Sequence, residues 1–595
     1  MRFASFRIAH RVLATGLLAS GAACASMSSA GGGGTVDMST SAPSPDPRVG
    51  LRAGWMDAGE AAWNIDVVAK RQPSEAFINA STPGDRRLIN SDLAFTRNYV
   101  IQGNYSGYQV WDIANPANPA LVTAYVCPGS QGDVSVYHSL MFMSAEDQRG
   151  RNDCGMQGVP DTVSKERLRG IRIFDISNMA KPRLLTTVQT CRGSHTHTVV
   201  TDPNDNANVY VYISGSAPVR SPNELAGCSA QPLEQDTTTA LFRIEVIKVP
   251  LANPEQARIV TSPRIFTGLA PVMTHTDTGA AGLRPGRTVT QCHDITVYPA
   301  IGLAGGACAG YGLLLDIRDP ANPKRIGEVA DPNFSFWHSA TFNNDGTKVL
   351  FTDEWGGGSQ PRCRVTDKKE WGADAIFTLA NGKMNFVSYY KLAAPQTSNE
   401  NCVAHNGSLI PVPGRDIMVQ SWYQGGISIF DWTDPAHPKE IAYHDRGPMD
   451  STKMVSGGTW SAYWYNGNIY SSEMSRGLDV FALKPSGLLT QNEIDAAKTV
   501  HLDYLNAQSQ PKASWPASFV VARAYVDQLA RGNGLSGSRV SALRAALASA
   551  EAAAGPARQT ALTGLANQLD ADSQGSSDAA RIRKLAEVVR GIAGS

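Results

Sequence analysis

The sequence predicts an all-β, seven-bladed β-propeller followed by a small C-terminal α-helical bundle. Three observations carry that expectation. A phrase made of one Gly, an alternating apolar strand, an Asp and a proline-spaced turn recurs along the chain, four times clearly and three times in degenerate form. A second phrase, strand–tight turn–strand, precedes each copy. The 595 residues include 55 Gly and 34 Pro, while charged residues make up 18%, against roughly 25% in an average domain. That is the make-up of a turn-rich β chain.

The chain opens with Arg2, Arg7 and Arg11 ahead of an apolar stretch from Val12 to Ala23, the layout of a secretory signal, so residues 1–25 are expected to be removed or anchored. Two readings stay open. Ala23-Cys24-Ala25 fits ordinary small-x-small cleavage, and Cys24 after Gly21-Ala22-Ala23 is a candidate lipidated cysteine of a lipoprotein. Both imply export, to the periplasm, the outer membrane surface or the extracellular space, with membrane contact only through a lipid at Cys24. Beyond this segment no apolar run reaches the ~20 residues of a membrane span. Residues 26–60, rich in Gly, Ser, Thr and Pro, read as a flexible tether.

The propeller is expected over 61–485. Its clear phrases are GYQVWDIANPANP from Gly107, GIRIFDISNMAKP from Gly170, GLLLDIRDPANP from Gly312 and GISIFDWTDPAHP from Gly426, with degenerate copies from Ala240, Ala373 and Gly477. Each supplies a third strand. The preceding phrases start at Ser91, Gly132, His197, His293, His338, His405 and Trp460 and supply the first two, by period-2 apolar alternation around Asn, Asp, Gly or Pro turns. Segments after the prolines, such as those from Lys324 and Lys439, supply the fourth. Four strands repeated seven times make a propeller. Blade seven lacks a fourth strand after Leu483, and the unassigned stretch from Trp63 to Lys70 is expected to return and close the ring, removing an open edge.

The Gly/Asp/Pro phrase, with the segments CPGSQGDVSVY from Cys127 and TCRGSHTHTVVTDP from Thr190, is similar to the LVIVD repeat family of bacterial and archaeal surface β-propellers. The resemblance implies a propeller and an exported location; it implies no reaction, because propellers host unrelated functions. After 486–516, read as a linker, residues 517–595 are Ala-, Leu- and Arg-rich, with breaks at Gly532–Gly537, Gly555–Pro556 and Gly575–Ser577 that divide them into four helices. Their order resembles the small helical module called FIMAH that ends some bacterial secreted proteins; any Ala/Leu bundle shares the pattern, and its plainer reading is a structural or assembly module without chemistry.

Without Cys24, eight cysteines remain, an even number that reads as disulfides in an oxidising compartment; no CxxC pair suggests a thiolate metal site. Cys127, Cys191, Cys292 and Cys402 lie just before first strands, and Cys154, Cys228, Cys308 and Cys363 at or after the ends of second strands, on the same face of a propeller. The expected pairs are Cys127–Cys154, Cys191–Cys228, Cys292–Cys308 and Cys363–Cys402.

The same stacking puts His197, His293, His338 and His405 in register at the start of four successive first strands, around one mouth of the axial channel, in a chain with 11 His. His195, two residues earlier, shares the face of His197 by strand alternation. Converging neutral imidazoles suit copper, iron or zinc, whereas a His at the start of a strand also serves simply to satisfy backbone groups. Glu146, Asp353, Glu354 and Glu473 end second strands at the same mouth and are candidates to orient imidazoles. Trp355, Trp422, Tyr423 and Trp460 add aromatic surface there. His138 falls in a hairpin turn at the opposite end.

Lys plus Arg and Asp plus Glu both number 53, a balance that argues against a nucleic-acid partner. No phosphate-binding loop, G-x-S-x-G elbow, HExxH or Asp-rich calcium loop occurs. Two functions remain: an exported binding protein with a protein or envelope partner, or a metal-dependent, oxidoreductase-like enzyme using the histidine cluster.

Overall fold

The computed structural model describes residues 38–274 and 288–594. The signal segment, the candidate lipidation site Cys24 and the start of the tether lie outside the described residues. Seven antiparallel sheets are present, and the first strand of each packs beside the first strand of the next, round the whole circle from Asn90–Thr96 back to Thr459–Tyr465. The chain is a seven-bladed propeller with a small helical C-terminus.

The repeated phrase has a local physical cause. Gly107 and Gly170 start third strands at φ 149° and 151°, and Gly477 does so at 115°. A Cβ at these three positions would lie 1.9–2.0 Å from the carbonyl oxygen of Tyr125, Val188 or Arg71 on the fourth strand, so only glycine fits. The Asp at the other end terminates the strand. Asp112, Asp175, Asp316 and Asp431 each accept the backbone N–H two residues on, at 2.9–3.0 Å, and so set up the turn that the prolines continue.

Ring closure follows the expected pairing. Ile65–Arg71 runs antiparallel to Gly477–Leu483, with Ile65 opposite Leu483 and Arg71 opposite Leu478. Just before it, Glu60–Trp63 adds a fifth, outer strand to blade six, beside Lys439–Arg446. The described part of the expected tether is also held down: the buried Arg48 guanidinium donates to Asp46 and to Glu440 (2.7 Å) and lies over the Tyr443 ring. Residues 38–60 therefore belong to the propeller's outer wall, because an arginine there finds a buried carboxylate, Glu440, on blade six.

The four disulfides are Cys127–Cys154, Cys191–Cys228, Cys292–Cys308 and Cys363–Cys402, with Cα separations of 4.4, 5.3, 3.5 and 5.6 Å. They pin the insertions of blades two, three and five, and the second strand of blade four, beside the segments that enter first strands.

The stretch 486–516, expected as a linker, is structured. Helix α1 (Gln491–Ala497) opens with a capping box of Thr490 and Glu493. Tyr504–Asn506 then pairs with the far end of blade one's first strand, Ala94–Thr96. Continuing across the channel, the Asn506 side chain bonds both Val136 N–H (2.7 Å) and Val136 C=O (2.9 Å), Ser509 bridges Val297, and Gln510 bonds both backbone groups of Phe342. Trp515 donates its indole N–H to Pro411 C=O (2.8 Å). The segment thus clasps the ends of first strands from five blades, opposite the mouth where those strands begin. Helices α2 (Phe519–Arg531), α3 (Gly537–Ala552), α4 (Gly555–Asp572) and α5 (Ala579–Gly594) share one apolar core and dock on blade six through Gln528 to Pro413 C=O and Glu493 between Arg415 and Arg531.

Candidate metal centre

Three histidines meet at the mouth. His293 immediately precedes Asp294–Tyr298 in blade four, His338 sits at the start of Trp337–Phe342 in blade five, and His405 precedes Gly407–Ile410 in blade six. Their rings form a continuous row, with centroids 3.8 Å apart between His293 and His338 and 4.2 Å between His338 and His405. All three are buried. Cys292–Cys308 and Cys363–Cys402 fix the chain beside two of them.

Each ring's orientation has a cause. His405 donates its Nδ1–H to the carbonyl of Trp460, and His293 donates Nδ1–H to Asp294 Oδ1 at 2.9 Å. Both therefore keep Nε2 as a lone-pair donor. Among the described residues, His338 has no hydrogen-bond partner on either nitrogen, and His405 has none on Nε2. Glu354 faces these rings: its carboxylate oxygens lie 3.8 Å from His338 Nε2 and 3.7 Å from His405 Nε2, and Tyr423 O–H donates to it at 2.6 Å. One ligand atom from each of His293, His338 and Glu354 lies within 4.8 Å of the others. Around one ion at Zn–N distances of ~2.0–2.1 Å, opposite ligand atoms stand at most ~4.2 Å apart, so a small closure completes the set. His405 stands beside this trio, next to His338 and facing the same carboxylate.

Burial sets the protonation. It pushes His293 and His338 well below the usual imidazole range and His405 down to about 3, so all three are neutral at pH 7. Burial likewise raises Glu354 to about 7, against the lowering effect of the Tyr423 hydroxyl. His195 is opposite in sense. Burial works against its proton, but the Glu146 carboxylate bonded to its Nδ1 prevails and lifts it to about 9. Its ring stands 4.5 Å from that of His293.

The other expected site residues divide clearly. His197 is not in the row: its Nδ1 shares a 2.8 Å hydrogen bond with Ser144 Oγ, its backbone N–H donates to Asp133, and its ring packs on Phe142 in blade two. The chain crosses the mouth one step earlier, after the left-handed Gly193, so His195 faces the cavity instead. Asp353 accepts backbone N–H groups of Ser335, Phe336 and Gly372, and Glu473 those of Gly458, Ser475 and Arg476. Both cap loops and orient no imidazole. Glu354 and Glu146 do touch histidines. Trp355 packs at a tilt against Trp371, and Trp422 stands edge-on to Tyr390, whereas Tyr423 and Trp460 line the mouth. Asp294 escaped notice, although the His-Asp dipeptide at 293–294 was its signal.

Above the imidazoles lies a cavity of about 230 Å³, walled by Ile89, Tyr105, Gln131, His195, Phe336 and Trp460 among others, with Arg86 at its rim.

No protein-family model matches the chain, and no curated protein matches it. Among solved structures it is similar to the Pseudomonas aeruginosa periplasmic gluconolactonase (12% identity, 72% of this chain and 98% of that one, TM-score 0.39). It is also similar to a putative 6-phosphogluconolactonase from Bacteroides fragilis (10%, 66% and 89%, 0.38) and to Kuenenia stuttgartiensis hydrazine synthase (10%, 69% and 98%, 0.40). At that level the likenesses carry no argument about activity.

Proposed function

We propose that this chain is an exported propeller of the LVIVD type whose mouth holds a single transition-metal ion, bound by His293, His338 and His405 with Glu354, and acting on a small molecule in the cavity above. The observation that carries the reading is the row of three neutral, buried imidazoles beside one carboxylate, in which His338 and His405 turn toward Glu354 Nε2 atoms that have no hydrogen-bond partner among the described residues. Burying polar groups without partners is costly, and a purely interacting protein gains nothing from doing so on two adjacent rings. Nitrogen-rich donors with one carboxylate suit zinc, copper or iron, and access from the cavity suits chemistry on a bound molecule more than a closed structural site. Four disulfides support an oxidising, exported location.

Metal analysis tests the reading. Protein purified from the periplasm should carry, or take up on dialysis, one equivalent of zinc, copper or iron. His293→Ala/His338→Ala should abolish stoichiometric metal while the far-ultraviolet circular dichroism stays β. A wild-type protein that takes up none of the three metals refutes it.

A further inference from the structure

The cavity has two unlike walls. One is apolar and aromatic, built from Ile89, Tyr105, Trp460 and Met474, with the Tyr105 and Trp460 rings edge-on at 6.1 Å. Facing the metal centre's imidazoles, Phe336 stands edge-on to His293 at 5.7 Å. The other wall is polar, with Gln131, Glu354 and His195, whose Nδ1 is tied to Glu146. At the rim Arg86 is exposed and forms no ion pair among the described residues, whereas its neighbour Arg87 is tied to Asp85 at 3.0 Å.

An unpaired guanidinium over the opening and aromatic side walls call for one kind of guest. We propose that the cavity binds a small aromatic carboxylate. Its ring lies against Trp460 and Tyr105, and its carboxylate pairs with the Arg86 guanidinium at the rim. The volume of about 230 Å³ lies below the roughly 300–1,000 Å³ of sites for drug-sized molecules, which sets the guest near the size of benzoate. A neutral guest leaves Arg86 unpaired, and a purely aliphatic one gives up the ring contacts. The inference does not depend on the metal reading: Arg86 at the rim, and not the metal below, holds the carboxylate.

Benzoate and its neutral isostere benzamide are the probes, titrated calorimetrically into the full chain, with metal content measured on the same sample. Benzoate should bind at least tenfold more tightly than benzamide. Arg86→Gln should weaken benzoate at least fivefold and leave benzamide unchanged; because Arg86 is exposed, the variant should fold normally. Trp460→Phe should weaken benzoate in the same direction. Equal affinity for the two probes, no binding of benzoate, or an Arg86→Gln protein that binds benzoate like the wild type would overturn the proposal. If the sample takes up no metal yet keeps the Arg86-dependent preference for benzoate, the metal reading falls and this one stands. If metal binds stoichiometrically and the preference is absent, only this one falls.

Discussion

His405 gives its Nδ1 proton to the backbone carbonyl of Trp460, one blade further round the ring. A carbonyl can only accept, so that bond fixes the tautomer and leaves Nε2 as the lone-pair nitrogen, 3.7 Å from Glu354. His293 is fixed the same way by Asp294. Histidines that bind metals usually donate their second N–H to a carbonyl or carboxylate, and here the donors' partners are supplied by the fold itself.

The acid dependence of the metal-free protein should reveal these buried rings. His405's folded value, about 3, lies below the ordinary imidazole value of 6.5. Between those limits the unfolded chain holds a proton that the folded chain refuses, so acid favours unfolding there by ~1.4 kcal/mol per pH unit for that residue. Above pH 6.5 the contribution is constant. Buried Glu354, raised to about 7, acts in the opposite sense, since the folded state takes up its proton first as the pH falls. The two are separated by comparing His405→Gln with wild type in urea titrations from pH 8 to 4. The stability difference should be flat above 6.5 and move steadily in the variant's favour below it. A difference that stays flat throughout means that His405 is not buried in neutral form.

Glu354→Gln should keep the propeller intact, because the side chain bonds only Tyr423 and faces the histidines. Metal affinity should fall about 10–100-fold, the usual effect of losing a carboxylate that touches or supports the ligands. Competition with a chromophoric chelator measures this directly. Tyr423→Phe, which leaves the carboxylate charge in place, should cost less.

Much of this was legible in the sequence because the deciding physics is local. Gly107, Gly170 and Gly477 avoid a clash with the neighbouring strand, and Asp112, Asp175, Asp316 and Asp431 end strands by turns two residues long, so a repeat of these residues is a repeat of blades. Cysteine pairing followed from the blade register alone. The choice between His195 and His197 was not local. It depends on Asp133 and Ser144 of the preceding blade capturing His197, and nothing in residues 190–200 signals that. The clasp was hidden for a similar reason. Asn506 and Gln510 sit in a polar, proline-containing stretch that reads as a linker, and their partners are backbone groups at Val136 and Phe342, far away in sequence.

His197 and the metal should accordingly be independent. His197→Ala removes the bond to Ser144 and leaves Asp133, which is fully buried, with one fewer contact. A stability loss of ~1–3 kcal/mol is expected from the unpaired polar group. Metal content should stay at one equivalent. Loss of metal in this variant, with the fold intact, would bring His197 back into the ligand set.

The clasp gives the last prediction. Asn506 bonds both the N–H and the C=O of Val136, and Gln510 does the same for Phe342, at distances of 2.7–2.9 Å. These backbone groups lie on the innermost strands of blades two and five, where no further strand follows to pair with them. Replacing either amide by alanine removes two hydrogen bonds and strands a buried donor, at a cost of ~1–3 kcal/mol per site. The sites bond different blades and share no partner, so Asn506→Ala/Gln510→Ala should lose close to the sum. Urea denaturation should show the midpoint falling at an unchanged slope, which marks lost stability rather than a changed extent of unfolding. Metal content should not move, because the clasp crosses the ends of the first strands and the histidines stand at their beginnings. If the double variant unfolds at the wild-type midpoint, the segment merely lies across the channel and holds nothing shut. If metal is lost along with stability, the two ends of the channel are coupled through the inner strands.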